Sequence, residues 1–587
     1  MSSERPPAQS PSRLAAPVAY AILDAFRDCR ARFLALTSVA QERFERKDWA
    51  GLRRDAQARL GLYRVSVDHA EARTRALLGA HSRERLVWVS AKAVYSTLIA
   101  HRQDWELAET FFNGVTRRIF DTVGLDPLVE YVATDFDTPP IEATRPMYVR
   151  DVKTSTTTAL VRAILDALPF ECPWRAVDED AALVAERVEQ KVAELHRGGL
   201  VAIERIEPLF YRGKAAYVVG RLVLPAGAVS PFLLALRNGA DGLYVDAALL
   251  EPHDVTVAFS FTHSYFHVVV ERPYDVMRFL RSLVPQKRIA ELYIAIGEPK
   301  QGKTELYRAL MDHIAEAHEA FSFARGTPGL VMVVFTMPGL DLVLKVIRDE
   351  FPPEKDTSFE RVKDRYQWVY QQDRAGRMVD AQPFEFLAFD RSRFEPEVLE
   401  ELLSQCGDSV HADGDRIVID YCYVEREIYP LNLYVREKSQ EEAEAALTDW
   451  GRAIADITAC GVFVGDLLLK NFGVTRLGRV ALYDYDELVA LDAIHFRDLP
   501  ETADPEDELR AEPWFSVSHG DVFPEEFPRF LGLPRRLRPH VLNRCKHVFD
   551  PRWWRRMQSR VAAGMVREFA PYPDQRRLHP LFGGARR

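Results

Sequence analysis

The chain has 587 residues, 47% hydrophobic, 28% charged and 11% aromatic, which describes an ordinary globular protein with room for two or more domains and excludes a disordered one. A formal net charge of −10 gives no reason to expect general nucleic-acid affinity, and six scattered cysteines without a Cys-x-x-Cys pair argue against zinc or a disulfide framework. No apolar run reaches bilayer length and the first residues lack the apolar core of a signal peptide, so a reducing cytoplasm is expected, with neither membrane nor nucleic acid as partner.

In chain order, the Pro- and Ser-rich start is expected to fray, giving a disordered tail over 1–16. From Val18 to Leu195 apolar residues recur at three- and four-residue intervals (Tyr20, Ile22, Leu23, Phe26, Phe33, Leu34), the stripe of amphipathic helices. Pro127, Pro139, Pro140 and Pro146 punctuate a looser stretch. Between Leu209 and Val270 the period shortens towards two, and Asn238-Gly239 and Asp241-Gly242 offer the residues of tight hairpin turns. An antiparallel sheet is therefore expected within the helices. His263 and His267 have a helical metal spacing, but their stretch reads as a strand, where residues four apart lie well over ~10 Å from each other, so no metal site is expected.

Leu292–Ile296 reads as a strand, followed by Gly297-Glu-Pro-Lys-Gln-Gly302-Lys303-Thr304 and a helix, a full phosphate-loop match. Such a loop cradles phosphates with backbone N–H groups at a helix start, yet Pro299 removes one donor and no succession of βαβ units surrounds it. A nucleotide-hydrolase loop, an anion site for an effector and an ordinary helix entrance all remain open.

Ala324-Arg325-Gly326-Thr327-Pro328-Gly329-Leu330 is a short glycine-bearing loop leading into an apolar strand, a Pro338-Gly339 turn and a second strand with one lysine, Lys345. A lone ammonium on so apolar a strand needs a negative partner. This is the order of a kinase N-lobe, where a glycine loop covers ATP and a strand lysine grips its phosphates. Glu385, amid apolar neighbours, is either a helix partner for that lysine or a solvated surface glutamate. Arg416–Val435 reads as two strands around a charged step, where an interlobe hinge would lie, and Glu441–Thr458 as an amphipathic helix.

The chain then runs through an apolar approach (Val462, Phe463, Val464) to Asp466, with Asn471 five residues later, a turn at Leu477-Gly478 and a strand ending on Asp484-Tyr485-Asp486. In protein kinases a catalytic-loop aspartate accepts the substrate hydroxyl proton, an asparagine five residues on holds one Mg²⁺, and a second aspartate beyond the next hairpin holds the other. The spacing fits a phosphoryl-transfer centre. Phe549–Arg556, with Arg576, Arg577, Arg586 and Arg587, makes an arginine- and aromatic-rich end, either a docking surface for an acidic protein or a solvated helix and tail.

On these residues the chain resembles the bacterial isocitrate dehydrogenase kinase/phosphatase family. The stretches that carry the likeness are Ala295-Ile-Gly with Lys303-Thr-Glu, Leu330 to Lys345, Gly376-Arg-Met-x-Asp380, Gly465-Asp-x-Leu-x-Lys-Asn-Phe-Gly-Val-Thr-Arg, Tyr483-Asp-Tyr-Asp-Glu and Gly520-Asp-Val-Phe-Pro-Glu-Glu-Phe. The resemblance implies an α+β protein: a mainly helical regulatory domain with an inserted antiparallel sheet (17–318), then a bilobal kinase-like domain (319–587). It implies an enzyme that phosphorylates a serine of isocitrate dehydrogenase, controlling flux into the glyoxylate bypass, and removes that phosphate at the same site. The family's ATP-binding positions fall on Ala324–Leu330 and Lys345, and its phosphatase aspartate on Asp380. The cofactors implied are ATP, with ADP in the phosphatase direction, and Mg²⁺ or Mn²⁺. A small-molecule effector such as AMP and a homodimer stay open among its partners.

The sequence departs from conventional kinases in places. Val464-Gly465-Asp466 replaces His-Arg-Asp, Lys470 stands four residues after the aspartate rather than two, and Asp-Tyr-Asp adds a carboxylate where Asp-Phe-Gly has glycine. The expected roles are Asp466 as base or orienter of the attacking serine with Lys470 beside it, Asn471 and Asp484 on the cation with support from Asp486, Lys345 on the ATP phosphates, and Asp380 positioning a hydrolytic water. The rival readings are a phosphate-loop ATPase working through Gly297–Thr304 and a pseudokinase scaffold.

Overall fold

A computed structural model describes residues 11–133, 146–260, 265–353, 355, 357–500, 515–565 and 569–579; the chain divides into two compact units, 1–316 with 570–587, and 317–569. No helix among the described residues is long and apolar enough to cross a membrane.

The first unit starts with helices α1 (Pro11–Ser38), α2 (Ala40–Glu45), α3 (Trp49–Leu78), α4 (Arg85–Ile99) and α5 (Trp105–Phe120). Helix thus begins inside the stretch expected as a tail, because Ala15 already belongs to the stripe that continues through Val18, Ile22 and Phe26 into the core. Residues 1–10 lie outside the described residues.

Strand β1 (Tyr148–Val152), helices α6 (Thr157–Asp166) and α7 (Val177–Glu194), and strands β2 (Ala202–Ile206), β3 (Phe210–Arg212), β4 (Ala215–Val223), β5 (Val229–Gly239) and β6 (Gly242–Leu249) follow. The strands form an antiparallel sheet ordered β1-β2-β4-β5-β6, with β3 on β4, so the sheet starts earlier than its period-two signal does. Alternate residues of β4 enter different cores: Tyr217 and Val219 join α1, α4 and α5, whereas Ala216 and Val218 join α6 and α7. The β5–β6 hairpin closes with Gly239 opposite Gly242 across Ala240-Asp241.

Helices α8 (Pro252–Ala258), α9 (Pro273–Leu283), α10 (Ile289–Ala295) and α11 (Pro299–Glu316) complete this part. Two expectations change here. Residues 265–270 of the histidine stretch are not a strand: His267 makes one isolated bridge to Tyr211, and burial beside Arg59 pulls its pKa down to about 3, while His263 lies outside the described residues. The phosphate-loop match is not strand–loop–helix either, since its supposed strand is α10.

A Cβ on Gly302 would stand 2.5 Å from the Ile294 side chain and 2.6 Å from the Ala290 carbonyl, so this glycine lets α11 lie against α10. Lys303 and Thr304 sit within α11, where the Thr304 hydroxyl donates to the Lys300 carbonyl (3.0 Å). A phosphate cradle needs free N–H groups, yet those of Gly297, Glu298 and Gly302 donate to the Ile294, Tyr293 and Glu298 carbonyls (2.9, 2.9 and 3.0 Å).

Residues 570–579 also belong to the first unit, not to the catalytic domain that 319–587 was expected to form. Tyr572 donates to buried Asp246 (2.6 Å), Arg577 pairs with the same carboxylate, Arg576 pairs with Asp254 (2.6 Å), and His579 lies 2.6 Å from buried Asp180. Arg576 and Arg577 therefore answer buried acids. Arg586 and Arg587 lie outside the described residues.

The second unit opens with β7 (Ser322–Phe323), β8 (Met332–Thr336), β9 (Leu342–Ile347), helix α12 (Phe359–Gln372), β10 (Ala381–Asp390), helix α13 (Pro396–Gln405), β11 (Val410–Asp413) and β12 (Arg416–Arg426). The sheet order is β10-β12-β9-β8-β7, with β11 on β12. After β13 (Tyr429–Pro430) come helices α14 (Leu431–Glu437) and α15 (Gln440–Ala459), then β14 (Val462–Val464), β15 (Phe472–Val474), β16 (Val480–Leu482) and β17 (Leu488–Ala490). Leu431–Val435, expected as strand, is helix. Ser439 and Glu442 cap α15 reciprocally, and its stripe Leu447, Trp450, Ile454 and Ile457 is buried in the core beneath the loops that follow. In the arginine-rich helix Pro551–Ala562, Trp554 is buried against Phe463 and Phe496.

Candidate active site

Lys345 points from the middle of β9 into a cleft of about 210 Å³ in the second unit. Val343, Leu344 and Val346 around it are buried, and it is buried itself. Its ammonium meets one carboxylate, Glu425 Oε1 at 2.6 Å, and donates to the Tyr483 carbonyl at 2.7 Å. Glu425 lies on β12, beside β9 in the sheet. Burial raises the Glu425 pKa to about 6, against the pull of Lys345. The candidate partner Glu385 is an exposed residue of β10, which is the solvated alternative and on a strand, not a helix. A strand projects alternate residues to opposite faces, and Glu385 falls on the wet one.

The Tyr483 contact ties the lysine to the opposite wall. Tyr483 N donates to the Asn471 carbonyl (3.1 Å), and Asn471 Nδ2 donates to the Asp466 carbonyl (3.1 Å). Asp466 Oδ1 accepts from Leu468 N (3.0 Å), which fixes the carboxylate at the start of its loop. The Tyr483 hydroxyl donates to the Lys470 carbonyl, bracing the middle of that loop. Gly465 N donates to the Glu487 carbonyl (3.0 Å), and a Cβ on Gly465 would lie 2.5 Å from that oxygen. Only glycine lets the Asp466 loop and the Asp484–Glu487 segment come so close.

Asp484 and Asp486 both line the cleft. Burial, and then the neighbouring Asp484, push the Asp486 pKa up to about 7. Two carboxylates that resist joint ionisation are a ready place for a cation. Among the described residues no group of three or more His, Cys, Asp or Glu could hold a metal unaided. Asn471 with two carboxylates still suits Mg²⁺, which is commonly held by one or two carboxylates together with substrate phosphates.

Between the two aspartates, Tyr485 is fully buried; it packs edge-on to Tyr366 of α12 at 4.8 Å, and its hydroxyl donates to the Val379 carbonyl.

Of the 324–330 loop, Ala324, Arg325, Thr327, Pro328, Gly329 and Leu330 line the cleft with Lys345, Asp466, Lys470, Asn471, Asp484 and Asp486. Gly326 and Asp380 are not among the lining residues. Gly326 has φ 129°, and a Cβ there would stand 3.3 Å from Pro430. Asp380 is half-buried behind the Asp484–Asp486 segment: Val379 N donates to the Leu482 carbonyl (2.9 Å), and Gln382 Nε2 donates to both Asp380 oxygens (2.8 and 2.9 Å).

Arg377 holds that stretch in place. Its buried guanidinium forks onto Asp449 (2.7 and 3.0 Å) and reaches Asp456 (2.9 Å) and the Val480 carbonyl (3.0 Å). Sequence reasoning missed Glu425 and the anchoring work of Arg377. The signal for Glu425 was available, because an acid directly after Cys422-Tyr-Val on a buried strand raises the same question as Lys345.

Known proteins match nearly all of the chain. The regulatory domain of isocitrate dehydrogenase kinase/phosphatase (AceK) matches residues 19–318, and the kinase domain of the same enzyme matches 319–574. The isocitrate dehydrogenase kinase/phosphatase of Anaeromyxobacter sp. (strain Fw109-5) is 45% identical over 570 residues, covering 97% of this chain and 99% of the relative. That of Xanthomonas axonopodis pv. citri is 42% identical over 574 residues, with 97% and 99% covered. That of Pectobacterium carotovorum subsp. carotovorum is 37% identical over 566 residues, with 96% and 95% covered.

Proposed function

The chain belongs to the isocitrate dehydrogenase kinase/phosphatase family, and from that premise we propose that its one cleft both phosphorylates isocitrate dehydrogenase from ATP and hydrolyses the phosphoprotein. The observation that carries this is the bonded run Lys345–Tyr483–Asn471–Asp466, which joins a phosphate-gripping ammonium to a proton acceptor across a cleft that also holds Asp484 and Asp486.

In the forward direction Lys345 and the 324–330 loop hold the nucleotide. Asp466 accepts the proton of the attacking serine hydroxyl as its oxygen bonds to the terminal phosphorus, and the bond to the ADP oxygen breaks. Lys470, on the same loop, offers an ammonium to the transferring phosphoryl. Asn471, Asp484 and Asp486 would hold Mg²⁺ or Mn²⁺, which when bound neutralises charge on the phosphates. In dephosphorylation Asp380, reaching the cleft from behind the Asp484–Asp486 segment, orients a water whose oxygen bonds to the phosphorus as the bond to the serine oxygen breaks; the proton the water loses passes to that oxygen, leaving serine and inorganic phosphate.

A nucleotide-hydrolysing loop at Gly297–Thr304 is disfavoured because Pro299–Thr304 lie within α11 and the N–H groups of Gly297, Glu298 and Gly302 donate to nearby carbonyls. The discriminating experiment measures transfer from γ-labelled ATP to isocitrate dehydrogenase by wild type, Lys345→Ala and Lys303→Ala. The proposal expects loss with Lys345→Ala and retention with Lys303→Ala. The opposite pattern overturns it.

A further inference from the structure

In protein kinases the strand lysine is held by a glutamate of the neighbouring helix, and movement of that helix makes or breaks the pair. Here α12 has no acid to offer. Its buried face is Val362, Tyr366 and Val369, while its acids Glu360 and Asp364 are exposed.

The acid comes from within the sheet. Lys345 is registered opposite Tyr423, and Glu425 opposite Val343, so lysine and glutamate are diagonal neighbours on one face of two hydrogen-bonded strands. Backbone ladder bonds, not a mobile helix, set their 2.6 Å separation. The other Glu425 oxygen, Oε2, is buried with no hydrogen-bond partner, so Lys345 supplies the charge that this carboxylate answers.

Helix α12 is connected to other parts of the site. Tyr366 stacks on Tyr423 at 4.0 Å and packs edge-on to Tyr485 at 4.8 Å, and Arg365 donates to the Asp486 carbonyl.

Resting on the reading of this cleft as the phosphoryl-transfer site, we infer that Glu425 is the positioning residue that aims Lys345 at the nucleotide, and that α12 governs the Asp484–Asp486 segment and not the lysine. A pair locked in a sheet stays made whatever the helix does. Control of the kind that swings a helix to disconnect the lysine is therefore absent, and any control through α12 is exerted on the cation ligands.

The test uses the full-length protein and reads both ATP dissociation constants and transfer kinetics. Glu425→Gln keeps the volume and removes the charge. It should weaken ATP binding and raise the KM for ATP about tenfold, as expected when a charge-assisted contact is lost, with the KM for the protein substrate unchanged. In a Lys345→Met background the same substitution should change ATP affinity less than twofold. Glu360→Gln and Asp364→Asn should leave ATP affinity at the wild-type value.

If Glu425→Gln binds ATP as wild type does, or if Asp364→Asn weakens binding about tenfold, the inference is wrong. Should Glu425→Gln fold poorly, the joint replacement Lys345→Met with Glu425→Leu restores an apolar pair, and its ATP affinity must match that of Lys345→Met alone. A wild-type protein that binds ATP but transfers no phosphate would defeat the functional reading, while the binding constants would still decide the role of Glu425.

Discussion

Replacing Lys345 with methionine removes an ammonium at nearly constant length and leaves Glu425 buried without its partner at 2.6 Å. Breaking a buried ion pair from one side costs roughly 3–5 kcal/mol while the survivor remains ionised. Glu425 can escape part of that by binding a proton. With the lysine present, burial already lifts its pKa from 4.5 to about 6; without the lysine the value must climb further.

A carboxyl that binds its proton more tightly folded than unfolded loses stability as pH rises through that interval. In wild type the loss is complete slightly above pH 6 and amounts to about 2 kcal/mol at ~1.4 kcal/mol per pH unit. In Lys345→Met it continues upward, by at most ~1.4 kcal/mol per unit. The difference between the two proteins is therefore smallest near pH 5 and grows by up to ~3 kcal/mol between pH 6 and pH 8. Opening free energies from hydrogen exchange of the β9 and β12 amides, taken at several pH values, measure it. A difference independent of pH, or largest in acid, would refute the reasoning, as would persistence of the slope after Glu425→Gln is added.

Other consequences follow from the same geometry. Gly465→Ala drives a Cβ to 2.5 Å from the Glu487 carbonyl, so it should cost roughly 1–3 kcal/mol in thermal stability and lower kcat for transfer. Arg377→Met removes the buried cation that pairs with both Asp449 and Asp456 and should destabilise the second unit by about 3–5 kcal/mol in urea unfolding. Since Asp486 holds its proton up to about pH 7, cation binding below that pH must displace it: Mg²⁺ affinity measured by calorimetry should fall up to tenfold per unit from pH 7 to pH 6, and Asp486→Asn should flatten that dependence. Asp380→Ala should impair release of phosphate from the phosphoprotein more than its formation, as read by parallel assays of both directions.

Much of the second unit could be read from sequence because its charges stand out against apolar strands. Lys345 is conspicuous for that reason, and the five-residue step from Asp466 to Asn471 is local. Glu425 is harder to read, since Glu425-Arg426-Glu427 looks like a solvated step and only the preceding apolar Cys422-Tyr-Val run marks the first of the three as buried on β12.

Short apolar runs misled for a different reason. Leu292–Ile296 is too short for periodicity to separate strand from helix, and packing through Gly302 decides for helix. Leu431-Asn-Leu-Tyr-Val435 alternates like a strand, yet Pro430 caps it into α14. The return of Tyr572, Arg577 and His579 to the first unit depends on acids more than 300 residues earlier in the chain, which no local pattern discloses.

The central claim is that one cleft serves both directions. Isocitrate dehydrogenase labelled by this protein with γ-labelled ATP, then chased with ADP, Mg²⁺ and fresh enzyme, reports incorporation and release side by side for wild type and Asp484→Asn. The account predicts that wild type does both and that the single substitution abolishes both. A variant that fails to incorporate label yet releases it at the wild-type rate would contradict it.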